Sequence, residues 1–446
     1  MPPVSPTIAV ASASEEPVIQ AGASRVGVAN SDWPLLPLTS SVVQGKAVSF
    51  VDSNFNKTAN AAILQQLADY LALSTCCHAL DGWRYLSQAS LALMTGARNQ
   101  ALHLAYYAEL RAALSILASS GIGILNSKHF SLDSTGNVNW FAGNTHPTAW
   151  KCLTEWSHQP DQAKKLMKCF QALGLSASEW AEACSATGSL DAIAQNWLEN
   201  WSIDLSKVGN DRLLRNEASY RPDLHSNAMD CLIQSDVEFV GSMGALCVPA
   251  GSGYLDDLDI MLIVDLCRKA CELRYGDSSD PSMRSLAKEV FGWLLNHKVA
   301  DPRDAGEIIR TLGTVNKSPG SAILTQADPS NASPAAVTSR AFLLLRLASA
   351  LTRKQWEEIQ LRSAGGIAVW QRSVINAYGL HSNLWDSTTP PLDFATLDED
   401  RSVAQENVGN WIAANTPFNP YRLWRDLSTA LVDLCRFERV GIVTLS

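Results

Sequence analysis

Residues 98–121 read RNQALHLAYYAELRAALSILASSG. Within 99–119, His103, Tyr107, Leu110, Leu114 and Leu117 recur every three or four residues, the spacing that aligns side chains on one stripe of a helix. Gly121 supplies the stop signal, because glycine adopts the left-handed conformation that ends helices. Upstream, Ile63, Leu64, Leu67, Tyr70 and Leu71 mark one face of a helix over 58–80, and a second helix is expected over 83–95, ending at Gly96. Three helices in succession imply a bundle.

Downstream, residues 126–147 contain Asp133, Gly136, Asn137, Gly143 and Asn144 and read as loop with room for a hairpin. Helical patterns return over 147–156, 163–173, 177–185, 190–201 and 255–275, then over 335–351 and 423–437. The fold class expected is mainly α: a helical bundle core with irregular insertions and a smaller helical C-terminal unit. Residues 1–45 read as an irregular or flexible arm, 46–317 as the helical domain, 318–334 (SPGSAILTQADPSNASP) as a linker, and 335–446 as the C-terminal unit. No period of 20 to 50 residues indicates a solenoid.

A chain of 446 residues with 46% hydrophobic and 18% charged residues has the composition of a globular protein, and its 14 Trp residues require large buried or interfacial surfaces. The formal charge of −9 argues against broad electrostatic binding of DNA, which needs an excess of Lys and Arg. Ten Cys without paired CxxC spacing fit reduced thiols in the cytoplasm. The opening MPPVSPTIAVASASEEPVIQ lacks the basic and apolar regions of a signal peptide. The weakly charged stretch 239–255 is broken by Gly241, Gly244, Pro249, Gly251 and Gly253; packed loop and short extended structure are expected there, and no membrane span.

Two segments carry a family pattern. Tyr106-Tyr107-Ala108-Glu109-Leu110 through Ala118, followed by Gly121, combines a paired aromatic, small residues and a leucine stripe. Arg215-Asn216-Glu217-Ala218-Ser219-Tyr220-Arg221-Pro222 is a later polar motif. Together, over roughly residues 58–275, they resemble the HEPN superfamily of helical proteins. That resemblance implies attack by an RNA ribose 2′-hydroxyl on the adjacent phosphate, with an Arg stabilising phosphate charge and a His exchanging protons. It also implies paired helices across a dimer and a place in prokaryotic defence or toxin-type assemblies, with no cofactor and no metal.

In the later motif Tyr220 stands where the family's ribonucleases place His, and a phenol of pKa near 10 is a poor base at neutral pH. The family's Arg-polar-spacer-His spacing occurs instead at Arg98, Asn99 and His103. Asn99 and His103, four apart, share a face near a helix N-terminus, where free amides favour phosphate. Arg98, Asn99 and His103 are therefore the catalytic candidates, and Arg215, Asn216 and Tyr220 the ligand-binding candidates. The competing reading of His103 is a hydrogen-bonded core residue on the stripe of Tyr107 and Leu110.

Other constellations read as structural. Cys76-Cys77-His78 lacks a partner set for a metal, Cys267 and Cys271 suit packing, and Asp256, Asp257 and Asp259 form a charged helix start. Lys164, Lys165 and Lys168, and Arg353, Lys354 and Arg362, read as solvated helix faces. No Walker A, HExxH or GxSxG sequence is present. The expected function is RNA recognition or metal-independent RNA cleavage, in a homo-oligomer or with a protein partner. The alternative is a non-catalytic helical scaffold that binds a partner protein.

Overall fold

The computed structural model describes residues 2–26, 40–172, 174–184, 231–247, 256–297, 323–324, 326–327, 333–363 and 394–445. The protein is mainly helical, in agreement with the periodicity of the sequence. The N-terminal helices are α1 (Pro6–Ser12), α2 (Glu16–Val26) and α3 (Ser40–Asn54), followed by the long hairpin of α4 (Ala61–Met94) and α5 (Arg98–Ser119).

The turn of that hairpin follows from its residues. Gly96 sits at φ +74°, the Ala97 N–H reaches the Ala92 carbonyl, and the Gly96 N–H reaches that of Leu93, which together close the last turn of α4 as a Schellman motif. Helix α4 begins on Asn60, whose side chain accepts from the Ile63 N–H at 3.0 Å.

A break between 80 and 83 is not observed, and α4 runs straight through Asp81-Gly82. The reason is close packing. A Cβ on Gly82 would lie 2.4 Å from Leu345 Cδ2 and 3.3 Å from the Ala108 carbonyl oxygen. Facing it, α5 offers Ala101, Ala105, Ala108 and Ala112, all fully buried.

After α5, three short antiparallel strands form a meander: β1 (Ile122–Gly123), β2 (Lys128–Leu132) and β3 (Val138–Ala142), with Phe130 opposite Trp140. The expected hairpin is thus present, turned by Asp133, whose carboxylate accepts from the Thr135 and Asn137 amides at 2.9 and 2.8 Å. Helices α6 (Thr145–Ser157) and α7 (Pro160–Cys169) follow, then a two-residue ribbon and α8 (Ala177–Cys184).

The N-terminal segment is not a flexible arm over residues 2–26. Val4 donates to the Trp140 carbonyl and Ser14 to that of Leu132, each at 2.8 Å, and Ala9, Val10, Val18 and Ile19 are buried. Gly121, at φ +87°, leaves room for this strap, since a Cβ there would meet the Ser14 carbonyl oxygen.

Helix α9 (Gln234–Ala245) occupies the start of the stretch expected as loop and extended structure. Its Val237, Val240 and Met243 are buried at a spacing of three, so tertiary packing overrides the weak helix propensity of its glycines. Helices α10 (Asp256–Tyr275) and α11 (Asp280–His297) form another packed pair.

The chain then supplies α12 (Pro334–Arg362), whose residues 334–352 are buried on every side and which packs against both α4 and α5. It lies in one apolar core with the hairpin, although the sequence suggests a separate unit from 335. The expected linker at 318–334 falls largely outside the described residues. Among the described residues α12 alone is long and apolar enough to cross a membrane, and that apolar stretch is buried inside the protein.

Helices α13 (Phe394–Ala414), α14 (Pro420–Leu434) and α15 (Phe437–Leu445) complete the fold, with α15 laid on α4 and α12. Buried and half-buried tryptophans anchor these layers by spending their N–H groups. Trp83 donates to Ser349 at 2.9 Å, Trp156 to Ser120 at 2.8 Å, and Trp424 to the Met94 carbonyl at 2.7 Å.

Candidate site at the hairpin turn

Helix α5 begins on Ala97, which offers no side-chain cap. Asn99, His103, Tyr106 and Tyr107 follow at helical spacing, so these side chains rise along adjoining stripes of the first two turns. Tyr106 is fully buried, while Asn99, His103 and Tyr107 are half-buried. The His103 ring lies 5.0 Å from the Tyr107 ring, centroid to centroid, and Tyr85 of α4 stacks on Tyr107 at 5.6 Å.

A second histidine enters from the first turn of α6. His146 stacks almost parallel on Tyr106 at 5.7 Å and meets Tyr107 edge-on at 6.1 Å. Its Nδ1 lies 2.7 Å from the Tyr106 hydroxyl, which also accepts from Trp150 Nε1 at 3.3 Å. Trp150 is donor only, so the phenol oxygen accepts from it, and the direction of the Tyr106–His146 bond follows the imidazole tautomer. His103 and His146, 43 residues apart, thus flank one pair of tyrosines.

Arg98 turns aside from this cluster. Its Nη1 pairs with Asp236 of α9 at 2.8 Å, with the arginine side chain 35% exposed and the carboxylate 5%. Burial holds the Asp236 carboxyl above its ordinary range, outweighing the attraction of Arg98. The structure therefore brings Asn99 and His103 to one face and ties Arg98 to α9. Arg215, Asn216 and Tyr220 lie outside the described residues.

His146, Tyr85 and Trp150 were not singled out by sequence reasoning, because they reach the site from separate helices. No local pattern marks His146, because only the packing of α6 on α5 brings it to Tyr106. No family model, curated protein or solved structure matches the chain.

The remaining candidates resolve into packing. His78 accepts from Arg111 at 3.0 Å, and burial, aided by that cation, holds it well below its ordinary pKa. Cys76 is buried and its thiol is pushed well up by burial, and Cys267 and Cys271 are buried too. Among the described residues no group of three or more His, Cys, Asp or Glu is placed to share a metal. Asp259 does more than start α10. It receives Arg346 of α12 through two bonds of 2.8 and 2.6 Å, and both groups are largely buried.

Proposed function

We propose that the protein binds RNA at the His103–His146 cluster and cleaves it without a metal ion, as a HEPN-like component of a prokaryotic defence or toxin-type assembly in the cytoplasm. The observation that carries this reading is the pair of imidazoles flanking Tyr106 and Tyr107. One imidazole takes the proton of a ribose 2′-hydroxyl as that oxygen bonds to the adjacent phosphorus. The other, protonated as the imidazolium, gives its extra proton to the departing 5′-oxygen, leaving a 2′,3′-cyclic phosphate, a 5′-hydroxyl and the two imidazoles with their protonation states exchanged. The half-buried rings of Tyr85 and Tyr107 offer a face on which a base can stack. All ten cysteines are free thiols, which fits a reducing compartment.

A second reading, a non-catalytic scaffold, is favoured by a different observation: the buried Asp236 already engages Arg98, and Tyr106, His146 and Trp150 already satisfy one another. Incubating the full-length protein with a labelled single-stranded RNA in chelator separates the two. Cleavage with cyclic phosphate ends is expected, and His103→Ala and His146→Ala should each slow it by roughly 10² to 10⁴ with circular dichroism unchanged. Should RNA stay intact with the wild-type protein and its native partners present, the scaffold reading stands.

A further inference from the structure

Two basic clusters that look like separate solvated faces meet in the fold. Lys165 and Lys168 of α7 and Lys354 and Arg362 of α12 line one cavity of about 400 Å³. Helix periodicity explains the convergence, since Lys354, Glu358 and Arg362 are four apart on one face of α12, and Lys165 and Lys168 are three apart on α7. The third wall is the N-terminal end of α2, with Glu15, Glu16 and Ile19. Glu15 contacts Lys165, while Glu16 lies 2.6 Å from Arg362. Four cations thus face three carboxylates in a chain whose formal charge is −9. Among the described residues, Lys168 and Lys354 have no ion-pair partner.

Burial pushes the Lys165 ammonium down to about 8, with Lys354 adding to the fall and Glu358 opposing it, so it faces the cavity as a cation at neutral pH. An independent observation points to a ligand. Gln355, also lining the cavity, is 4% exposed, and its Nε2 donates to the Ser119 carbonyl at 3.1 Å, yet its buried amide oxygen has no hydrogen-bond partner. An unfilled acceptor beside free cations calls for a molecule that carries both an anion and a hydroxyl or N–H donor.

We propose that this cavity binds a small phosphate ester, of nucleoside monophosphate or sugar phosphate size, with its phosphate on Lys168 and Lys354 and a donor group on Gln355. The volume lies within the range of small-molecule sites. Gln355 is tied to the C-terminal end of α5, about 24 Å along the helix from His103 by the helical rise, so this site is separate from the one at the hairpin turn.

Isothermal titration calorimetry of the full-length protein tests the proposal with AMP, glucose 6-phosphate and inorganic phosphate as probes. One of the two esters is expected to bind saturably at one site per chain, about tenfold or more tighter than inorganic phosphate. The double variant Lys168→Ala/Lys354→Ala should weaken that binding by about tenfold or more. Lys168 is exposed, so Lys168→Ala alone keeps the fold and should weaken binding in the same direction. The proposal is overturned if neither ester binds, if inorganic phosphate binds as tightly, or if binding is unchanged in these variants.

Discussion

His129 has no exposed surface, and both of its nitrogens are committed. Nδ1 accepts from the Leu125 amide at 3.1 Å, so Nε2 donates to the Gly143 carbonyl at 3.0 Å, and burial pushes its pKa down to about 4. The neutral form is the folded form. Its contribution is whole above the ordinary value near 6.5 and is lost as pH falls from there to about 4, because the unfolded chain takes up a proton that the fold refuses. The loss should be about 3 kcal/mol between those limits. Urea unfolding at pH 7 and pH 4.5 checks this, and His129→Gln, which cannot protonate, should show a shallower fall. Gly82 is sensitive for steric reasons: Gly82→Val drives methyl groups toward Leu345 and should cost about 1–3 kcal/mol by overpacking. Neither role is readable from the sequence, since a helical glycine beside Asp81 looks like a break until the facing helices are known.

At the scale of elements, α5 and α12 share a buried ion pair. Glu109 is fully buried, Arg340 is 2% exposed, and the two lie 3.6 Å apart. Removing one charge strands the other, so Glu109→Ala should destabilise by about 3–5 kcal/mol, whereas Glu109→Leu with Arg340→Met should recover most of the loss. Denaturant midpoints of the three proteins decide the point. Leu110, 5% exposed on the same helix, should tolerate aspartate no better, because the carboxylate would be buried among apolar neighbours. The α5 helix was readable because its stripe and terminal Gly121 agree. Its register was not: His103 and Tyr107 of the expected stripe are half-buried, Tyr106 and Glu109 beside it are fully buried, and residues 112–119 are buried on every side because α12 covers the face left open by α4. The helix α9 was missed because glycines dominated the reading, although Val237, Val240 and Met243 carry a helical period.

For the whole molecule, long-range closure sets what a sequence can disclose. The strap of residues 2–26 lies on the meander and on α4, α6 and α12, and no local pattern in an Ala, Ser and Pro-rich segment announces those contacts. Deleting residues 1–26 removes burial worth about 1.5–3 kcal/mol at each of Val10, Val18 and Ile19, offset in part by the entropy of ordering them. A lower thermal midpoint is expected in calorimetry. The same limit applies to the candidate sites: Asn99 and His103 share a face that spacing foretells, whereas His146 and the lysines of α7 and α12 meet only through tertiary packing. The proposed function further calls for an oligomer or a bound partner, which light scattering at several concentrations should reveal.

In the proposed function His103 and His146 serve one RNA site. The most direct measurement follows the imidazole carbon-bound protons by NMR while an uncleavable 2′-O-methyl oligoribonucleotide is added in chelator, with His103→Gln and His146→Gln providing the assignments. Both signals are expected to shift together and saturate at the same RNA concentration. Signals that stay in place, or movement of only one, would contradict the account.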